Sequence, residues 1–503
     1  MDTEFDVIVI GAGINGAGIA RDAAMRGLKV LLVDKGDVGG GTSAGSTRLI
    51  HGGLRYLEHF EFGLVRESLR ERETLLRIAP HLVRPLAITI PIYKESQRGW
   101  TTVRAGMIAY ELLAWGKSLP RYRMQLVDET LRRIPGLKAE GLIGSAVYFD
   151  AQVEFAERLV VENVLAAIEQ GATVLTHTRV GTLLSEGGRV RGVQLEGDFA
   201  EPALAGVVIN AAGPWVDQLI QQNLIGGTKG SHVVVAPFEG APEGTVYLEA
   251  VSDRRPFFVI TWNGNYLIGT TDVRFEGDPG EVRCEPWEVE YLLAETNRAF
   301  PAAGLNNESV LYTYSGVRPL AYTKNENEQS ITRRHFLREH PQFQNLISVV
   351  GGKLTTYRNL AEECVDLIFR KLNRPSPPCE TARVPLPGAT GETPANVCER
   401  WRRVYGSRAK EVAELAERLK VEDMLAAEVV FSFEKELAKS LADCFLRRTM
   451  TGLNANAGLD EIERATEIGK KFLGWTKERA EREVNCYREE ISKRIDDGFH
   501  NAH

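Results

Sequence analysis

Paired cysteines are missing from this chain of 503 residues: Cys284, Cys364, Cys379, Cys398, Cys444 and Cys486 stand singly, with no CxxC spacing. That excludes a zinc ribbon, a redox dithiol and a disulfide framework; no secretion signal is expected, and a reducing cytoplasm fits. No metal site is expected. A basic surplus is missing too. With a formal net charge of −7, general nucleic-acid binding is set aside, because neutralising phosphates takes an excess of cations. No apolar run approaches the ~18 to 20 residues of a membrane-spanning helix. What is present is a 43% hydrophobic chain, too long for one ordinary core, and hence a globular protein of two or three domains.

The first forty residues carry the clearest pattern. "FDVIVIGAGINGAGIARDAAMRGLKVLLVD" reads as a strand over Val7 to Ile10, a glycine turn, a helix, and a second strand over Val30 to Val33 that ends at Asp34. Gly11, Gly13 and Gly16 form GxGxxG in a βαβ context. The first glycine permits the tight turn, the second lets backbone approach a pyrophosphate at the helix N-terminus, and the third lets helix pack on strand. Asp34 can accept hydrogen bonds from ribose hydroxyls and would repel a 2′-phosphate. NAD and FAD both remain open at this point. The loop that follows, "KGDVGGGTSAGSTRLIHGG", brings hydroxyls and backbone N–H groups at Thr42, Ser43 and Ser46 to a longer phosphate and ribityl chain, which suits a flavin.

Here the chain is identified by resemblance. "TSAGSTRLIHGGLRYLEHFEFGLVRESLRERETLLRIAPHL", "INAAGPWVD", "KGSHVVV", "LIGTTDV", "YTYSGVRPL" and "GGKLTTYRNLAE" closely resemble the FAD-dependent, respiratory glycerol-3-phosphate dehydrogenases, within the wider glycine-oxidase-like flavoproteins. The match runs over about the first 385 residues. It departs in detail: Thr47 and Arg48 stand where Ser-Lys is usual, Asp34 where Glu is frequent, and Glu154 where Asp is common, so Glu154 receives no catalytic role. The implied fold is α/β, a Rossmann-like FAD-binding domain with an antiparallel-sheet substrate domain and a helical C-terminal domain. Residues 1–90, 150–225 and 346–385 are assigned to the first, 91–149 and 226–345 to the second, and 395–503 to the third.

The resemblance also implies a site. The turn at His51, Gly52 and Gly53 would run beneath the flavin, with Arg55 and Tyr56 reaching the substrate; a local Arg55–Glu58 pair is the plainer alternative. A guanidinium suits a phosphate dianion bidentately. Thr270, with Thr271 and Asp272, would sit near the substrate, and Arg318, stiffened by the following proline, would lie over the flavin. Lys353 is the expected second cation for the substrate phosphate. Gly352, Leu354, Thr355 and Thr356 form a turn and helix start whose dipole would stabilise negative charge on the reduced flavin. Ala212, Gly213 and Trp215 follow a strand end, and Val180 lies on a strand that could clamp the adenine half. Ile14, Asn15, Lys35, Arg48 and Leu49 complete the expected cofactor contacts.

His51 is the expected base for the substrate hydroxyl, since an ordinary imidazole titrates near neutral pH, and Arg318 the expected stabiliser of the developing alkoxide. The implied reaction oxidises sn-glycerol 3-phosphate to dihydroxyacetone phosphate, with electrons passed to a membrane quinone. The rivals are a glycerol-3-phosphate oxidase that hands electrons to oxygen, an amino-acid oxidase of the same fold, and a non-catalytic FAD scaffold. Residues 93–125 interleave Lys94, Arg98, Arg104, Lys117, Arg121 and Arg123 with Trp100, Tyr110 and Trp115. This reads as a peripheral contact with lipid on the inner face of the cell membrane, or else as a packed helix with a solvated basic side. A Pro-rich linker over 374–394 leads to a helical region dense in i, i+4 charge pairs. That region is expected to be scaffold, with capping or homodimer formation as alternatives.

Overall fold

The computed structural model describes residues 3–197, 199–324, 331–393 and 397–495; residues 395–396 and 496–503 at the ends of the expected C-terminal domain, and 325–330 within the substrate domain, lie outside them. Two sheets organise the chain. The first has five parallel strands in the order Phe343–Val350, Pro202–Asn210, Glu4–Ile10, Val30–Val33 and Thr173–Leu175. Val7 registers with Val207 on one side and Val30 on the other. Their side chains alternate between two covered faces, the arrangement that near-continuous apolar strands require. Val7 and Val9 meet the helices Ile14–Met25, Ala156–Glu169 and Tyr357–Lys371. Ile8 and Ile10 meet Val193, Leu195 and Ile220 on the opposite face. Antiparallel strands, among them Thr178–Glu186 and Arg189–Gly197, extend this sheet.

The second sheet has ten strands and is mainly antiparallel. Its long pair Val83–Tyr93 and Leu142–Val153 carries Leu49–Ile50 at one edge. Thr228–Val235 and Val310–Arg318 pair near the other edge. The boundary expected at residue 90 is therefore corrected: strand Val83–Tyr93 crosses it, and the Leu49–Ile50 segment already belongs to the second sheet. Alternation within one strand shows burial but says nothing about which distant strand will be its partner.

Beyond residue 397 the chain is helical, as its charge pairing suggests, from Glu399–Tyr405 to Lys477–Ser492. It does not own a separate core. Phe431, Phe445, Leu453 and Tyr487 share one apolar cluster with Leu49, Phe155, Trp262 and Tyr312 of the second sheet and its flank. Arg158 and Glu162 of helix Ala156–Glu169 form a buried four-membered ion network with Arg408 and Glu436.

Candidate functional site

A cavity of about 680 Å³ lies between the two sheets, within the usual size of a ligand site. The glycine turn forms its floor. Gly16 does the work of close packing: a Cβ there would fall 1.8 Å from the carbonyl oxygen of Gly11. Gly11, Gly13, Ile14 and Asn15 line the cavity, and the Ile14 N–H donates to Ser43 Oγ at 3.0 Å, so the hydroxyl loop closes over the helix start. Thr42 ties that loop to the second sheet by donating to the Val317 carbonyl. Asp34 borders the cavity and accepts from the Ala12 and Gly36 N–H groups, while burial raises its pKa. Lys35 lies over the Trp215 ring at 4.0 Å, and Val180, Ala212 and Gly213 complete this end.

The opposite end gathers the motifs that were far apart in sequence. The His51 N–H donates to Thr355 Oγ1, joining the HGG turn to the GGK turn, where Gly352, Lys353 and Leu354 also face the cavity. Gly53 has φ +79, and a Cβ on it would lie 2.1 Å from the Tyr56 ring. That close approach presses Tyr56 against Lys353, whose Nζ sits 4.5 Å over the ring and donates to Ser68 Oγ. Arg318 is aimed by Asp272 at 3.0 Å and by the Thr270 hydroxyl at 3.2 Å.

Beneath the HGG turn lies a relay that the sequence did not disclose. The Gly52 N–H donates to the Tyr110 hydroxyl at 2.9 Å, and Tyr110 donates to Asp150 at 2.7 Å. Asp150 in turn accepts from Arg72 at 2.5 Å. Tyr110 is thus a buried support and no part of an interfacial surface, which corrects its place among the membrane-facing aromatics.

Three further expectations are corrected. Arg48 borders the cavity, but its guanidinium is buried in a bidentate pair with Glu157 and stacks on Trp262, so it anchors the loop and is not offered to a cofactor. Thr270 does not border the cavity; its hydroxyl is engaged with Arg318 and the Thr271 carbonyl. Thr356 is buried as the N-cap of the helix that begins at Tyr357, the helix-start position expected of it. His51 is not an ordinary imidazole. Burial, with the charges of Lys353 and Arg72, pushes its pKa down to about 3. Gly16, Gly52, Gly53 and Arg55 also lie outside the residues bordering the cavity. Glu58 pairs with Arg98. Arg55 lies near enough to Arg318 that its positive charge adds to the burial lowering Arg318's pKa.

Arg333 was missed. It borders the cavity, shares Asp272 with Arg318, and holds a buried Nη1 with no partner among the described residues. It lies in irregular chain between strands, where neither periodicity nor a glycine motif marks it. At the other end, Ser440, Ala442, Asp443, Arg447, Cys486 and Glu490 border the same cavity from the C-terminal helices. Two of the cysteines, Cys284 and Cys444, have pKa values pushed up to about 12 by burial, which makes them poor nucleophiles.

The residues fit a long dinucleotide cofactor. Asn15 Oδ1 and Ser46 Oγ are buried at the cavity wall without a partner among the described residues, the condition of groups that bond a ligand. The helix N-terminus suits a pyrophosphate, and Asp34 suits a ribose.

Residues 6–367 match the FAD-dependent oxidoreductase family, and residues 379–480 match the C-terminal domain of alpha-glycerophosphate oxidase. A glycerol-3-phosphate dehydrogenase of Synechocystis sp. is 45% identical, over 97% of this chain and 96% of its own. The structure of a Bacillus halodurans glycerol-3-phosphate dehydrogenase, solved with FAD, superposes with a TM-score of 0.80 at 28% identity, covering 98% of this chain and 96% of that one. Glycine oxidase from Geobacillus kaustophilus shares the fold over 76% of this chain and 99% of its own, with a TM-score of 0.58 at 21% identity. Through both of its parts and through the cofactor cavity they enclose, the chain belongs to the FAD-dependent glycerol-3-phosphate dehydrogenase family.

Proposed function

We propose that the protein oxidises sn-glycerol 3-phosphate at C2 to dihydroxyacetone phosphate and passes the electrons to a membrane quinone. The observation that supports this most is the grouping of Arg318, Arg333 and Lys353 at one end of a cavity whose other end carries the dinucleotide turn. Three cations around one small volume suit a substrate that carries a phosphate dianion and develops a second negative oxygen as it reacts. Bound FAD supplies the hydride acceptor. Gly11, Gly13, Ile14, Asn15 and Ser43 would hold it along the turn, and Asp34 at the ribose.

The chain's own part is to bind, orient and deprotonate. Lys353 and Tyr56, with Arg55 beside them, take the phosphate. Arg318 and Arg333, each fixed by Asp272, face the oxygen that develops charge. His51 is neutral at physiological pH, so a ring nitrogen is free of its proton and accepts that of the C2 hydroxyl. An arriving dianion would offset Lys353 and raise the proton affinity of His51.

No helix among the described residues is long and apolar enough to cross a membrane. Helix Trp100–Leu113 and the residues after it expose Ile108, Leu112 and Trp115, the last at 88%, and Phe60 is 79% exposed on the neighbouring turn. This stripe, with the exposed Arg104 and Arg121, supports peripheral attachment to lipid. Arg98 and Lys117 contribute less to it, being paired with Glu58 and Glu111.

The second reading is an oxidase that uses the same site, favoured by the C-terminal match. Anaerobic mixing of the yellow protein with sn-glycerol 3-phosphate tests both. Bleaching of the flavin, reversed quickly by a soluble quinone and slowly by oxygen, is the expected result. Fast recovery on oxygen with peroxide formed establishes the oxidase, and no bleaching removes the substrate assignment.

A further inference from the structure

We propose that the C-terminal helices act as a clamp on the ribose end of the cofactor cavity, with Arg447, Arg448 and Asp443 setting how slowly FAD leaves. The clamp is built on two segments. Residues 34–37 follow strand Val30–Val33, and His177 lies just beyond strand Thr173–Leu175. These segments are zippered by the Thr178 N–H on the Asp34 carbonyl and the His177 N–H on the Gly36 carbonyl, each at 2.8 Å. Helix Leu441–Arg447 lies across both. Arg447 Nε and Arg448 Nη1 reach Asp37 Oδ2 at 2.5 and 2.6 Å, and Arg448 Nη2 reaches Oδ1 at 2.7 Å. Asp443 accepts from His177 Nε2 at 2.9 Å and from Arg447 at 2.7 Å.

Two features make this more than domain docking. Asp443 and Arg447 border the cavity itself, as do Asp34, Asp37 and His177, so the charged contacts stand beside the ligand's own volume. The domain also has an independent anchor in the Arg158–Glu162–Arg408–Glu436 network and in the Arg403–Glu154 pair at 2.6 Å. Release of the ribose end then requires the clamp to open while the rest of the domain stays docked. Ligand atoms of Asp37, His177 and Asp443 lie within 4.8 Å of one another, as in a metal site. Both oxygens of Asp37 are already taken by guanidinium groups, and two arginines occupy the place a cation would need, so the trio is an ion-pair cluster.

The test is the rate at which diluted holoenzyme releases FAD, followed by the rise in free-flavin fluorescence. Arg447→Gln is expected to speed release at least about tenfold and Arg447→Lys to restore much of the loss, because charge-assisted contacts govern dissociation more than association. Arg403→Gln, on the same domain interface but away from the cavity, is expected to stay within about twofold of the wild type. Release from Arg447→Gln at the wild-type rate overturns the proposal, and so does equal acceleration by Arg403→Gln. Should Arg447→Gln fail to fold, hydrogen exchange on the wild type decides. FAD added to apoprotein should slow exchange over residues 440–448 and leave residues 462–472 unchanged; a change in both or in neither overturns the clamp.

Discussion

One hydroxyl at Tyr110 serves two partners, accepting from the Gly52 N–H and donating to Asp150. Tyr110→Phe leaves a buried N–H and a buried carboxylate each short of a bond, a loss of about 1–3 kcal/mol. Denaturant melts should show that loss, and flavin reduction should slow while FAD stays bound. Arg318→Ala is expected to weaken substrate binding as well as slow reduction, since a hydrogen bond to a charged group is worth about 1.5–3 kcal/mol. His51→Ala should slow reduction with less effect on binding, and stopped-flow traces at several substrate concentrations separate the two. Histidine burial also has a pH signature. His51 and His81 are both pushed down to about 3, mainly by burial. The unfolded chain binds those protons near pH 6.5, so it holds more protons than the folded one between 6.5 and 3. Stability is therefore full above about pH 6.5 and falls as the solution is acidified through that window. His81→Gln, away from the cavity, should flatten the fall in Tm between pH 6.5 and 5.

At the scale of elements, the HGG turn depends on Gly53, where φ is +79 and the Tyr56 ring leaves no room for a methyl group. Gly53→Ala should displace Tyr56 from Lys353 at a strain cost of about 1–3 kcal/mol; a raised KM for substrate with normal FAD content is the expected reading. Elements whose signal is local were legible beforehand. Strand Val30–Val33 has the bounds its apolar run implied, and the glycine turn precedes a helix as its spacing required. The C-terminal helices were visible in their charge pairs. What was hidden depends on pairing across long separations: that Tyr110 turns inward under Gly52, that Arg48 finds Glu157, and that Arg333 joins Arg318 on Asp272. Side-chain periodicity records which face is buried and carries no address for the partner.

Across the whole molecule, charge and apolar surface are unevenly placed. The chain is net acidic, yet the exposed stripe Ile108, Leu112 and Trp115 stands beside cations. Co-sedimentation with anionic vesicles should therefore be lost in a Leu112→Ser, Trp115→Ser double variant whose flavin still bleaches with substrate; undiminished binding would remove the lipid assignment. The strand order also governs how the chain matures. The parallel sheet draws on residues 4–10, 30–33, 173–175, 202–210 and 343–350. A nascent chain on the ribosome thus holds Pro202–Asn210 with part of one edge unpaired until more than two-thirds of the protein has been made. Such late closure slows folding and leaves apolar strands open to wrong partners. Flavin capture then belongs to the last stage of synthesis, when strand Phe343–Val350 and the helices beyond it finish the walls.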